Sequence, residues 1–408
     1  MKTAIRMQAP RKMHAHSLGV TMKVAVFTAS VWRSACPLLR IQGPAKYCGL
    51  QVQPGNAGPK VFASVLAEAD IVIIHRDFPR YQHAYQRVIN VARQRSVPVI
   101  YESDDLLHEI PDDHPDRSYY QAAWFPIMQA LVEADAITTS TPLLGECYRA
   151  INDKTFVLPN YIDPELWPVH RTVRPNDQRP VVIGYMGTHT HAPDIRAITP
   201  ALSTLLNQNP GKTRLKIWGP PPSAALANRS DVQWQELGLV DYHQFADFFS
   251  RHGCDIFIAP LCDSPFNRCK SNLKFLEYSS LGVPGIYSRV VPYQDIVVHG
   301  DNGFLAGSPA EWQNCLTRLI HDPALRFQMG LRAQQTVRDH WLLPRHAARW
   351  GDLYHEVLAG KRQRNRDSSA RRLVQQFGNH LHNVQQAAEH KDLIARLMLH
   401  SLHALQGR

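Results

Sequence analysis

The sequence predicts two tandem doubly wound α/β domains followed by a basic helical tail. Short β-rich apolar runs alternate with longer helical stretches, the alternation stops at a proline-rich segment, and it then restarts. A chain of 408 residues has room for two cores of ~150–200 residues each.

In the first half the β-rich runs are 22–28 (MKVAVFT), 71–74 (IVII), 97–101 (VPVIY), 136–139 (AITT) and 155–158 (TFVL). Helical stretches, including 80–95 and 118–134, lie between them. Near-continuous apolar runs belong to parallel strands that helices cover on both faces. Residues 168–180 (PVHRTVRPNDQRP) hold three prolines and little that could build a core; they read as a linker. The pattern resumes at 181–186 (VVIGYM), 214–218, 255–259 and 283–287, with helical stretches at 194–208, 241–251, 271–281 and 309–320. Residues 341–358 read as a further helix bearing Trp350, Leu353, Tyr354 and Val357. The expected layout is a basic arm (1–21), a first domain (22–167), the linker (168–180), a second domain (181–340), a terminal helix (341–360) and a basic helical tail (361–408). In the tail Leu373, Phe377, Leu381, Val384 and Ala388 recur at helical spacing, interrupted by Gly378. That stripe suits docking on the body or on another chain.

Composition excludes several classes. With 44% apolar and 20% charged residues, the chain is not broadly disordered. The net charge of +10 sits in the ends: +4 in residues 1–21 and +6 in residues 361–408, while 22–360 hold 32 side chains of each sign. A neutral body argues against a nucleic-acid-binding protein. The arms suit an anionic surface such as a membrane leaflet, or plain solvation. Seven scattered cysteines without a CxxC argue against a disulfide framework or a zinc site and fit a reducing cytoplasm. No apolar run nears the ~18 residues of a membrane span, and residues 1–21 lack the apolar core of a secretory signal. The expectation is a cytoplasmic protein, with the arms offering peripheral attachment to the inner face of the cell membrane.

The common fingerprints are missing. There is no GxxxxGK[ST], no GxGxxG after the first strand, no GxSxG and no HExxH. The informative stretch is 255–305, DIFIAPLCDSPFNRCKSNLKFLEYSSLGVPGIYSRVVPYQDIVVHGDNGFLAG. A strand ends in a polar loop, and a helix opens near Ser271 with Lys274 and Glu277 on one face. The helix start, with Lys270 and Lys274, offers backbone N–H groups and positive charge where a phosphate would sit at the end of a parallel strand. Glu277, about one turn deeper, is placed to accept hydrogen bonds from sugar hydroxyls. A solvated Lys–Glu helix pair is the plain alternative.

KFLEYSSLGVP followed by DNGFLAG resembles the donor-binding half of GT-B glycosyltransferases, in particular the retaining family 4. VLPNYID at 157–163 resembles that family's interdomain segment, and APLCDSPFNRCKS with YESDDLL resembles a bacterial subgroup acting on surface polysaccharides. The resemblance spans roughly 22–360. It implies a nucleotide-sugar donor, no cofactor beyond that donor, no metal, and a glycan or lipid-linked acceptor. It also implies that Glu277 binds the nucleotide ribose, that Lys270, Ser271 and Asn272 approach the sugar and phosphate, and that Lys274 stabilises the leaving group. Cys269 stands where the family's first Glu would meet the donor sugar. After the 181–186 strand, Gly187 allows close backbone approach, and Thr188 and His191 are the phosphate-side candidates. In the first domain Glu102, Asp104 and Asp105 close a strand and are expected to face the interdomain cleft. Asp104 or Asp105 would orient or deprotonate an acceptor hydroxyl, and one of the two would cap a helix. Arg76, beside His75 at the end of IVII, is a further cleft candidate and a partner for Asp104. A sugar-nucleotide epimerase or hydrolase on the same fold, and a non-catalytic glycan-binding relative, are the readings from other classes.

Overall fold

The computed structural model describes residues 21–169, 178–238 and 241–361. Residues 1–20 of the N-terminal arm, most of the linker and the amphipathic tail therefore lie outside the described residues.

The first sheet is built from β1 (Lys23–Thr28), β2 (Gln51–Pro54), β5 (Ile71–His75), β6 (Val99–Ser103), β7 (Ala136–Thr139) and β8 (Thr155–Val157). A short antiparallel hairpin, β3 (Asn56–Ala57) and β4 (Lys60–Val61), interrupts the chain after β2. The second sheet comprises β9 (Val181–Met186), β10 (Thr213–Trp218), β11 (Val232–Gln235), β12 (Ile256–Ala259), β13 (Gly285–Ser288) and β14 (Phe304–Ala306). The two orders are β2-β1-β5-β6-β7-β8 and β11-β10-β9-β12-β13-β14. All neighbours are parallel. Each order reverses beside its first strand, the switch point where open α/β sheets bind ligands.

Each sheet is covered on both faces. Alternate residues of β1 and β5 feed two apolar clusters, Ala25, Phe27, Val72 and Ile74 on one side and Val24, Val26, Ile71 and Ile73 on the other. The final helix, Ala348–Lys361, returns to the first domain, where Trp350, Leu353 and Tyr354 pack with Val24, Val26 and Ile41. It starts later than expected: Leu343–Arg345 is a 3-10 turn containing Pro344, and Leu342 bridges to Ile162. The expected 194–208 helix is two helices, Ala192–Ala197 and Thr199–Gln208, with Pro200 in the first turn of the second. Proline lacks an N–H and so opens a helix more readily than it continues one.

Candidate functional site in the interdomain cleft

The loops at the carboxyl ends of β9 and β12 form the second domain's wall. Gly187 follows β9 and donates its N–H to the Trp218 carbonyl at 3.0 Å. Gly219 opposes it at φ +126°, and a Cβ there would lie 1.7 Å from the Gly187 carbonyl oxygen. Only glycine fits this approach. Thr188 is exposed and shares a hydroxyl contact with Thr190.

The helix Leu273–Ser280 starts two residues later than expected, with Asn272 at its N-cap. Lys274 donates to the Met186 carbonyl at 2.7 Å, which places its ammonium at the end of β9. Burial lowers its pKa, against the pull of Glu277. Glu277 is 4% exposed. It accepts from the Tyr242 hydroxyl at 2.7 Å, and that hydroxyl accepts from Trp167 Nε1 at 3.1 Å. Burial pushes the Glu277 carboxyl up to about 7, against Lys274 and the Tyr242 bond. A carboxylate this desolvated stays ionised near neutrality only with help from a cation or a ligand's donors.

The first domain presents charge differently. Arg76, the residue after β5, sits at φ +51°, a conformation uncommon for a side-chain-bearing residue. Tyr101 Oη donates to its carbonyl, and its own N–H donates to the Glu102 carbonyl. Its guanidinium reaches both Asp104 and Asp105 (3.0 Å for the latter), and also Tyr120 Oη. Burial acts to raise the Asp104 carboxyl, but Arg76, His75 and Arg40 overcome it and hold it well below the usual range. The expected Arg76–Asp104 pair is present, and Asp105 shares it.

Glu102 does not face the cleft, which corrects the expectation for it. Its side chain is wholly buried and paired with the equally buried Arg40 at 2.8 Å. Thr138 Oγ1 also donates to it. The strand pleat explains this: Glu102 is still within β6, whereas Asp104 and Asp105 lie beyond its end.

Several contacts join the walls. Lys270 reaches Asp105 at 3.4 Å. Asn160 Nδ2 donates to Ser271 Oγ at 2.9 Å, and Thr141 Oγ1 donates to the Cys269 carbonyl at 2.8 Å. His189 Nε2 lies 2.9 Å from the Asp116 carboxylate. Cys269 turns its thiol toward Cys147 at 4.0 Å, inside the first domain's apolar cluster. Asn160 also accepts from Arg40, so the buried Arg40–Glu102 pair connects through it to Ser271. His191 pairs with Asp194 at 2.8 Å. Among the described residues no three His, Cys, Asp or Glu side chains group closely enough to hold a metal ion, and no helix is long and apolar enough to cross a membrane.

The structure thus brings Lys270, Ser271, Asp104, Asp105 and Arg76 to one cleft and sets Lys274, Glu277 and Gly187 together on the second wall. Sequence reasoning missed Arg40, Tyr242 and Asn160. Arg40 did carry a signal: a lone cation inside the apolar run PLLRI has to find a buried partner. Nothing local in DYHQF points Tyr242 toward Glu277.

Two facing doubly wound domains with a cleft at their strand ends make this a GT-B glycosyltransferase fold. It is shared with HepE of Anabaena, crystallised with UDP and glucose, at a TM-score of 0.57 and 14% identity over 81% of this chain and 99% of that one. It is shared too with a glycosyltransferase of Rickettsia africae, at 0.56 and 11% over 83% and 99%. Identities this low speak to fold alone. Residues 180–322 match the family model of glycosyl transferases group 1, which covers most of the second domain. Over 237 residues the chain is 27% identical to the D-inositol 3-phosphate glycosyltransferase of Stackebrandtia nassauensis, a match covering 50% of each. The chain therefore spans about half the length of that curated relative.

Proposed function

We propose that the protein transfers a sugar from a nucleotide-sugar donor to a hydroxyl of a glycan or lipid-linked acceptor. The observation that carries this is the buried Glu277, held by Tyr242 with Lys274 one turn before it, within the region that matches glycosyl transferases group 1. Glu277 accepts from the ribose hydroxyls. Lys270 and Lys274 meet the diphosphate, with Ser271, Asn272, Gly187 and Thr188 around it. HepE, named with UDP and with glucose, supports a donor of this kind.

The first domain takes the acceptor. Asp104 is held ionised by Arg76, so it is a weak base. It and Asp105 orient the acceptor hydroxyl, and the departing diphosphate takes the proton. That is a retaining, front-face route in which the protein supplies position and leaving-group charge. The lysines provide that charge without a metal, so turnover in excess chelator is expected. Surface polysaccharide is the product class suggested by APLCDSPFNRCKS and YESDDLL. The basic ends, outside the described residues, would hold the protein at an anionic leaflet on the cytoplasmic side.

The test is direct. Nucleoside diphosphates are screened by thermal shift on the full chain, since a ligand of the native state raises apparent stability. The best is then supplied as its sugar conjugates with acceptor glycans. A glycan longer by one sugar is the expected product; release of free sugar with no elongation in any pairing would overturn the proposal.

A further inference from the structure

A cavity of about 250 Å³ opens between the domains, walled by Asp113 and His114 of the first and by His191, Asp194, Asn267 and Lys270 of the second. Clefts for whole drug-sized ligands run ~300–1,000 Å³. This one suits a single ring. Lys270 stands in its wall, and Lys274 and Glu277 do not. A donor with its ribose on Glu277 and its diphosphate at the lysines would therefore direct its sugar here.

Two imidazoles in that wall have fixed and opposite polarity. His114 Nδ1 accepts the Asp116 backbone N–H at 3.1 Å. Its neutral ring therefore carries the proton on Nε2. His191 Nδ1 lies 2.8 Å from Asp194 Oδ2, while the other Asp194 oxygen accepts the Cys262 N–H at 2.7 Å. A carboxylate can only accept, so the neutral His191 ring carries its proton on Nδ1 and bares the Nε2 lone pair. Burial keeps both rings neutral: it lowers the pKa of His114, helped by Lys270, and that of His191 to about 4. Neither Nε2 makes a hydrogen bond within the protein among the described residues.

We infer that His114 and His191, one from each domain, form a complementary donor–acceptor pair that reads two hydroxyls of the donor's sugar. His114 Nε2–H donates to one hydroxyl oxygen, and His191 Nε2 accepts the proton of another. This reassigns His191 from the phosphate to the sugar and makes the site incomplete without the first domain. The chemical class is a neutral, hydroxyl-bearing hexose. Asp113 and Asp194 in the same wall disfavour a uronic acid, while Asp263 there is already paired with Arg268. The inference rests on the nucleotide-sugar reading above.

Asparagine and glutamine substitutions separate the two ring nitrogens. His114→Asn keeps an acceptor for the Asp116 N–H, and His191→Asn keeps a donor for Asp194; both remove the Nε2 function. Glutamine places its amide at the Nε2 position instead. The readout is the ratio of Kd for the best-bound nucleoside diphosphate to Kd for its best hexose conjugate among glucose, galactose and N-acetylglucosamine, by titration of the full chain. Each asparagine variant should reduce that ratio ~3–10-fold, the loss of one neutral hydrogen bond, with the bare diphosphate unchanged within about two-fold. Each glutamine variant should restore most of it, and the glucuronic acid conjugate should gain nothing over the bare diphosphate in the unsubstituted protein. An unchanged ratio in both asparagine variants, or equal losses for diphosphate and conjugate, overturns the sugar assignment while leaving the transferase reading intact. Failure of every nucleoside diphosphate to bind would instead overturn the transferase reading, and this inference with it.

Discussion

Asp104 beyond the end of β6 and Glu277 in the Leu273–Ser280 helix are both carboxylates in surroundings that penalise charge, and the two domains treat them in opposite ways. Asp104 has a guanidinium against it and shares that guanidinium with Asp105. Glu277 has a phenol hydroxyl against it, and its nearest cation, Lys274, is committed to a backbone carbonyl. One carboxyl is driven well below its ordinary range and the other up to about 7. The difference teaches what each wall is prepared for. The first domain carries a charge already neutralised, suited to orienting an uncharged hydroxyl. The second carries a carboxylate short of donors, which a ribose diol would supply.

The largest break in this comparison concerns a third carboxylate. Glu102 and Arg40 are paired with no exposure at all. Removing one partner strands the other charge in the interior, at a cost of about 3–5 kcal/mol. Arg40→Met should therefore lower stability by that amount in chemical denaturation, and the Asn160–Ser271 link should loosen with it. A loss below about 1 kcal/mol would mean that Glu102 is protonated in the native state. The double change Arg40→Met with Glu102→Gln should recover much of the loss, because the stranded charge is gone.

Next in size is Glu277→Gln, which keeps the shape and removes the charge. Nucleotide affinity should fall by about 1.5–3 kcal/mol, the range for a hydrogen bond to a charged group. Tyr242→Phe should cost less, about 0.5–1.5 kcal/mol, because it deletes one neutral donor and leaves the carboxylate in place. Isothermal titration with the bare nucleotide measures both. The order matters more than the values: a greater loss in Tyr242→Phe would make Glu277 a support for Tyr242 and not a ligand group.

These contacts also mark where reading the sequence stops. Alternation and apolar content made the paired sheets legible, since β5, β6 and β12 are buried along their whole length. The edge strands β2 and β11 were not legible, because QVQP and VQWQ are half or fully exposed and carry little apolar signal. Lys274 and Glu277 could be found because helical spacing fixes them to one face. Their partners could not. Tyr242 meets Glu277 across 35 positions, and Asn160 meets Ser271 across 111. The first depends on how two helices of the second domain pack, and the second on how the two domains close, which no local pattern encodes. Glu102 was misplaced for a related reason. Proximity to Asp104 suggested the cleft, but the pleat and the unforeseen Arg40 decided its direction.

The smallest expected effect is a pH dependence, and it sharpens the comparison most. A carboxyl whose folded pKa is about 7 lies well above the ~4.3 of an unfolded glutamate. The native state then keeps a proton that the unfolded chain has released. Glu277 therefore contributes stability that is fully present below about pH 4 and is lost as pH rises toward about 7. Ligand binding runs the other way, because the ionised carboxylate accepts ribose hydroxyls better than the neutral acid. Affinity for the bare nucleoside, which carries no phosphate to titrate, should rise between about pH 6 and 8, and Glu277→Gln should flatten that rise. Asp104 predicts no such slope, since Arg76 keeps it ionised throughout this window. Asp104→Asn should accordingly shift acceptor use without altering the pH profile of nucleoside binding. If the slope survives in Glu277→Gln, the titrating group is elsewhere, and the contrast between a prepaired and an unpaired carboxylate fails.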